Sequence, residues 1–174
     1  HKNGTERIYE GLQKLGINKV DYIISLQGDE PAINPEDIRK LYNFMIKYNS
    51  DIGTLASEIK EVSMLNNKNI VKVRTEEKLK NNNFVIAKNF SRKYLSKENS
   101  NIYHHIGIYC YRVSVLKKFV NLEQTKNEIN NRLEQLRAID NGIKINVALA
   151  NFSPIGIDTK EDYLALKKIM EYKS

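Results

Sequence analysis

The chain has 174 residues, 41% of them hydrophobic and 28% charged, which is the balance of a globular domain long enough to bury a core. It carries 28 Lys and Arg against 21 Asp and Glu, a formal net charge of +7, but the basic residues are scattered and outline no nucleic-acid patch. A single cysteine excludes an internal disulfide, and no apolar run approaches the roughly 20 residues of a membrane-spanning helix.

In chain order, the spacing of Ile8, Leu12 and Leu15 predicts a short helix over 6–14. Residues 20–26 read as a strand, and the run Ile23, Ile24, Leu26 suits one covered on both faces. That strand passes without a gap into Gln27-Gly28-Asp29-Glu30-Pro31. Asn34 is placed to cap a helix with Pro35 at its first position, and Ile38, Leu41 and Met45 carry the helix to about Tyr48. A strand over 52–56 follows, then two strands over 70–74 and 84–88 that flank TEEKLKNNN as a hairpin. Residues 105–112 form a strand and 115–119 a short helix. One longer helix is expected over 128–140, stopped by Asn141-Gly142. Alternation of Ile143, Ile145, Val147 and Leu149 gives a last strand over 143–150, and an amphipathic helix over 159–172 closes the chain. Strands alternating with helices argue for one α/β domain over 1–174, and the hairpin makes its sheet mixed.

Ligands of open α/β sheets sit beyond the carboxyl ends of strands, where Asp29 and Glu30 fall. A second acidic loop, PIGIDTKEDY, follows the last strand. Thr159 with Asp162 explains the cap of the final helix but leaves Asp158, near Gly156, without a role. Carboxylates from two loops can share a magnesium ion, which takes hard oxygen ligands and serves phosphoryl chemistry. In NIYHHIGIYCYR, period-two alternation puts His105, Gly107, Tyr109 and Tyr111 on one face and Ile106, Ile108 and Cys110 on the other. The polar face suits a polyhydroxylated anionic ligand, whereas two adjacent histidines and a distant cysteine lack zinc-ligand spacing. Cys110 reads as a small buried hydrophobe. NFSRK offers Ser91 and Arg92 after a strand, and Glu134 with Arg137 reads as a surface ion pair three residues apart on a helix.

Six stretches in this order carry a resemblance: NGTER (3–7), LQGDEP (26–31), FSR (90–92), HIGIYCYR (105–112), LEQLR (133–137) and GIDTKEDY (156–163). The chain resembles the 3-deoxy-manno-octulosonate cytidylyltransferase family from its first residues nearly to its last. The resemblance implies a nucleotide-diphospho-sugar-transferase-like three-layer α/β fold with a mixed, mostly parallel sheet. It implies magnesium-dependent transfer of CMP from CTP to 3-deoxy-D-manno-octulosonate (Kdo), releasing pyrophosphate, in a cytoplasmic homodimer that serves lipopolysaccharide biosynthesis. Asp29 and Asp158 match the magnesium-binding aspartates. Gly4, Thr5 and Arg7 match a nucleotide-side loop, Arg7 counting among the catalytic residues with the two aspartates, and Arg and Lys groups balance the phosphates. Gln27, Ser91, Arg92, His105, Tyr109 and Arg112 match positions near the sugar acid. His104 stands where the family commonly has Arg. The family also opens with a strand and a loop rich in Arg, Gly, Pro and Lys around the triphosphate. No such stretch precedes His1, so the sequence reads as an N-terminally incomplete domain. Rival readings are a cytidylyltransferase for a sialic or pseudaminic acid, and a sugar-binding fragment without catalysis.

Overall fold

The computed structural model describes residues 4–16, 19–26, 32–93, 101–151, 163, 164, 167 and 168. Twelve elements follow one another among the described residues up to 151: α1 (Gly4–Lys14), β1 (Tyr22–Ser25), α2 (Pro35–Tyr48), β2 (Ile52–Ser57), α3 (Val62–Asn66), β3 (Lys72–Thr75), β4 (Val85–Ser91), β5 (Ile102–Arg112), α4 (Val113–Val120), α5 (Lys126–Asn131), α6 (Gln135–Asp140) and β6 (Ile145–Leu149). Tyr163, Leu164, Lys167 and Lys168 are helical, and the rest of the closing helix expected over 159–172 lies outside the described residues.

The strands form one sheet in the order β1-β5-β2-β6-β4-β3. It is mixed, as the hairpin implied, but its parallel share is smaller than expected. Among the described residues only β2 and β6 pair in parallel, and the other five pairings are antiparallel. The physical reason is β5, a long strand inserted between β1 and β2 that runs against both. Its first residues also pair with β3, so β4 and β5 each belong to the main sheet and to a smaller one around β3.

Two apolar clusters lie on opposite faces, which makes the layers helix, sheet, helix. Ile145, Val147, Tyr109 and Tyr111 of the sheet pack with Leu116 and Phe119 of α4 and Leu136 of α6. Leu55, Ile106, Ile108 and Cys110 pack on the other side with Leu41 and Met45 of α2. The two-faced reading of β5 therefore holds. Cys110 is fully buried, and burial pushes its thiol up to about 12, so it serves as packing.

Helix α2 begins as its sequence foretells. Asn34 accepts from the Glu36 N–H at 2.9 Å, and Pro35 occupies the first turn. One turn on, the α2 side chains reach the exit of β6. Both carboxylate oxygens of buried Asp37 accept from the Asn151 N–H at 3.1 Å, and Lys40 donates to the Leu149 carbonyl at 2.7 Å. Close packing of α2 on β2 depends on Gly53. A Cβ there would stand 2.6 Å from Met45 Sδ and 2.8 Å from Phe84 Cζ. Gly53→Ala is expected to lower unfolding free energy by about 1–3 kcal/mol through overpacking. Urea denaturation checks this, and an unchanged midpoint would show that α2 shifts freely.

The single helix expected over 128–140 is two helices. The chain breaks at Arg132, whose φ of 52° is left-handed, and turns a corner between α5 and α6. A capping box of Thr125 and Glu128 opens α5. The corner is tied by a buried ion pair. Arg137 Nε donates to Glu128 Oε2 at 2.7 Å and Nη2 to Oε1 at 2.5 Å, with the guanidinium 5.1 Å from the centre of the Phe119 ring. The expected surface pair of Arg137 with Glu134 is a looser contact of 3.9 Å, and the Arg137 side chain is 2% exposed.

Candidate active site

The corner presents Glu134 and Gln135 to the sheet. Together with Tyr109, Tyr111, Ile52, Ile145, Phe119 and Ala138 they enclose a cavity of about 130 Å³. Helix α1 borders it through Thr5, which is buried. The Thr5 side chain hydrogen-bonds with the Tyr111 phenol and with the Glu134 carboxylate, which also accepts the Thr5 backbone N–H. Glu134 thus sits at the first turn of α1, where a carboxylate meets unpaired N–H groups. Its Oε1 is buried and has no hydrogen-bond partner among the described residues. Burial is the main reason that its carboxyl is raised above the usual range. Burial likewise keeps the Tyr109 and Tyr111 phenols protonated far into the alkaline range. The rings stack at 5.7 Å and 25°. The cavity therefore offers neutral phenols that donate or accept, an amide, and an unsatisfied carboxylate oxygen.

His105 adjoins this group, its ring 5.4 Å from that of Tyr109 and 5.0 Å from that of Phe90. Burial, then the charges of His104 and Arg92, hold the imidazole down at about 3 from an ordinary 6.5. Between those values the unfolded chain binds a proton here that the folded chain does not. Stability is therefore full above the unfolded value and is lost as pH falls through this window, by up to about 1.4 kcal/mol per pH unit from this group. His105→Gln is expected to flatten the pH dependence of urea stability between about pH 7 and 5. A slope equal to that of the wild type would mean that the imidazole ionises inside the fold.

Ser91 and Arg92 lie on the smaller sheet. Lys72 pairs across the strands with Ser91 on one side and His104 on the other, and His104 pairs with Ser57. Lys72 is fully buried and donates to the carbonyls of Asn67 at 2.7 Å and Arg92 at 3.0 Å. Burial first, and the Arg92 charge second, lower its pKa. Ser91 Oγ accepts the Lys93 N–H, and the exposed Arg92 guanidinium donates to the Asn69 carbonyl at 3.1 Å.

Thr5, Tyr109 and His105 are thus brought together, with Ser91 and Arg92 on the neighbouring small sheet. Gly4 opens α1, and Arg7 is exposed on it. Arg112 is elsewhere, at the far end of β5. It donates to the Asn49 carbonyl, to Asn49 Oδ1 at 2.6 Å and to the Ser50 carbonyl at 3.2 Å, closing the C-terminus of α2. Asp29, Asp158 and Gln27 lie outside the described residues. Among the described residues no group of three or more His, Cys, Asp or Glu could hold a metal ion. Glu134, Gln135 and Lys72 were not singled out as site residues from the sequence. The available signal was a polar pair, Glu134-Gln135, set between Leu133 and Leu136, both of which are buried.

Residues 1–145 match a family described as Cytidylyltransferase. The 3-deoxy-manno-octulosonate cytidylyltransferase of Thermodesulfovibrio yellowstonii is 40% identical over 98% of this chain and 70% of its own length. That of Agrobacterium fabrum is 37% identical over 98% of this chain and 67% of its own length. That of Brucella anthropi is 38% identical over 93% of this chain and 65% of its own length, so the chain spans about two thirds of these relatives. A solved structure of CMP:2-keto-3-deoxy-manno-octonic acid synthetase complexed with CTP superposes with a TM-score of 0.86 at 29% identity, covering 100% of this chain and 70% of the other. An apo UDP-glucose pyrophosphorylase, 14% identical with a TM-score of 0.68 over 97% of this chain and 60% of its own, shares the fold.

Proposed function

The chain belongs to the cytidylyltransferase family, and from that premise we propose that it takes part in transfer of CMP from CTP to Kdo, giving CMP-Kdo and pyrophosphate. The observation that carries the reading is the cavity between β5 and α6, whose Tyr111 and Glu134 are bonded by Thr5 of α1. Tyr109, Tyr111, Glu134 and Gln135 bring hydrogen-bonding groups to a small space whose other walls are apolar, an arrangement that suits a polyhydroxylated sugar acid. Phenol and amide donors of Tyr109, Tyr111 and Gln135 suit the sugar carboxylate, and the open oxygen of Glu134 suits a hydroxyl.

In the proposed step the anomeric hydroxyl oxygen of Kdo bonds to the α-phosphorus of CTP. The bond to pyrophosphate breaks, and the hydroxyl proton is released. The protein's part is to position the sugar and exclude water around it. Arg7, exposed on α1, is proposed to balance phosphate charge, with Gly4 leaving the backbone open beside it. Asp29 and Asp158 are proposed to hold magnesium, which when bound would offset charge on the triphosphate. Gln27, Ser91 and Arg92 are proposed to face the sugar. Arg112 is retained there only on the resemblance, since its guanidinium already serves α2. The cytoplasm, lipopolysaccharide biosynthesis and a homodimer extend the reading on the same resemblance.

The test is pyrophosphate release from CTP and magnesium, with and without Kdo, by the intact gene product carrying these residues. Kdo-dependent release is the expected result. Release that responds instead to a sialic or pseudaminic acid would move the substrate to that class. CTP or Kdo binding without any release would leave a binding protein.

A further inference from the structure

Strand β5 does not run evenly along β2. Thr54 pairs with Tyr109, but the next residue, Leu55, pairs with Ile106. Gly107 and Ile108 thus stand outside the ladder with β2 as a two-residue bulge. Thr54 fills it. Its fully buried Oγ1 lies 2.7 Å from the Ile108 carbonyl, 3.3 Å from the Ile106 carbonyl and 2.9 Å from His105 Nε2.

A hydroxyl has one proton to donate. Both carbonyls can only accept. If the proton went to His105, the Ile108 oxygen would face a threonine lone pair at 2.7 Å. The proton therefore belongs to the Ile108 carbonyl, and His105 Nε2 must be the donor to Thr54. We propose that Thr54 is a positioning residue for substrate: it fixes His105 as the Nε2–H tautomer, so that Nδ1 accepts a hydrogen bond from a sugar hydroxyl. Nδ1 makes no hydrogen bond among the described residues, and the ring is held between Phe90 and Tyr109. His105 then selects for a hydroxyl and repels a carboxylate oxygen, which cannot donate. The second half of this inference rests on the proposed function.

Two readouts test it on the intact protein. Long-range proton–nitrogen NMR of ligand-free, histidine-labelled protein should find His105 with its proton on Nε2, and a proton on Nδ1 would overturn the inference. Thr54→Val, which keeps the shape and removes the hydroxyl, should raise KM for Kdo about five- to tenfold while kcat and KM for CTP stay within about twofold. Thr54→Ser should restore the wild-type KM; a serine variant that behaves like the valine variant would overturn the inference. If Thr54→Val fails to fold, the wild-type tautomer and the serine variant still decide. An Nε2–H tautomer in a protein that binds and converts no sugar acid would overturn the proposed function and support the placement of the proton.

Discussion

Arg137→Met is expected to lower unfolding free energy by about 3–5 kcal/mol, because it strands the Glu128 carboxylate in the interior without its partner. Side-chain exposures of 2% for Arg137 and 5% for Glu128 leave no water to compensate. Burial alone would raise the Glu128 carboxyl, but the Arg137 guanidinium, Gln124 and the Thr125 N–H outweigh it and hold it below the usual range. A loss of that size is a large part of the roughly 5–15 kcal/mol that holds an ordinary domain together. The companion test is the double variant Glu128→Leu with Arg137→Met. It removes both charges and should recover most of the loss. Urea midpoints of the two variants measure this, and equal losses in both would mean that the guanidinium acts through Phe119 and not through its ion pair. The same lever reaches the cavity, since Arg137 also stands 3.9 Å from Glu134 Oε1.

On the proposed assignment of magnesium to these two residues, Asp29→Asn and Asp158→Asn are each expected to reduce turnover at least about a hundredfold, since a bound metal would supply several kcal/mol of charge stabilisation. An amide keeps the size of the carboxylate and removes its charge, so thermal unfolding should barely move. The measurement is kcat at saturating magnesium beside the melting curve. A near-normal rate in either variant removes that aspartate from the metal site.

The sequence made the outlines of the fold legible where a local rule had no competitor. Asn34-Pro35 read as a helix start and is one. The polar and apolar faces of β5 were read correctly despite an unforeseen bulge, because two inserted residues restore the alternation that one would have inverted. The corner at Arg132 was hidden, since a left-handed arginine carries none of the signal that glycine gives at such a turn. That hidden turn concealed two cavity-lining residues with it. On one straight helix Arg137 pairs with Glu134, three residues away, whereas the corner folds it onto Glu128, nine residues away, and leaves Glu134-Gln135 at the cavity. Sheet direction was misjudged for a similar reason, because apolar runs reveal burial on both faces but not the sense of the neighbouring strand.

The strand order also sets a timetable for the nascent chain. Among the described residues only β3 and β4 are neighbours both along the chain and in the sheet. During synthesis that hairpin can close early, whereas the pairings of β1 and β2 with β5 wait until β5 leaves the ribosome. The parallel pairing of β2 with β6 comes later still. Such long-range pairings slow folding and expose apolar edges while the chain is incomplete. A nascent chain that ends before β5 is therefore expected to expose more unpaired strand edge than the finished sheet.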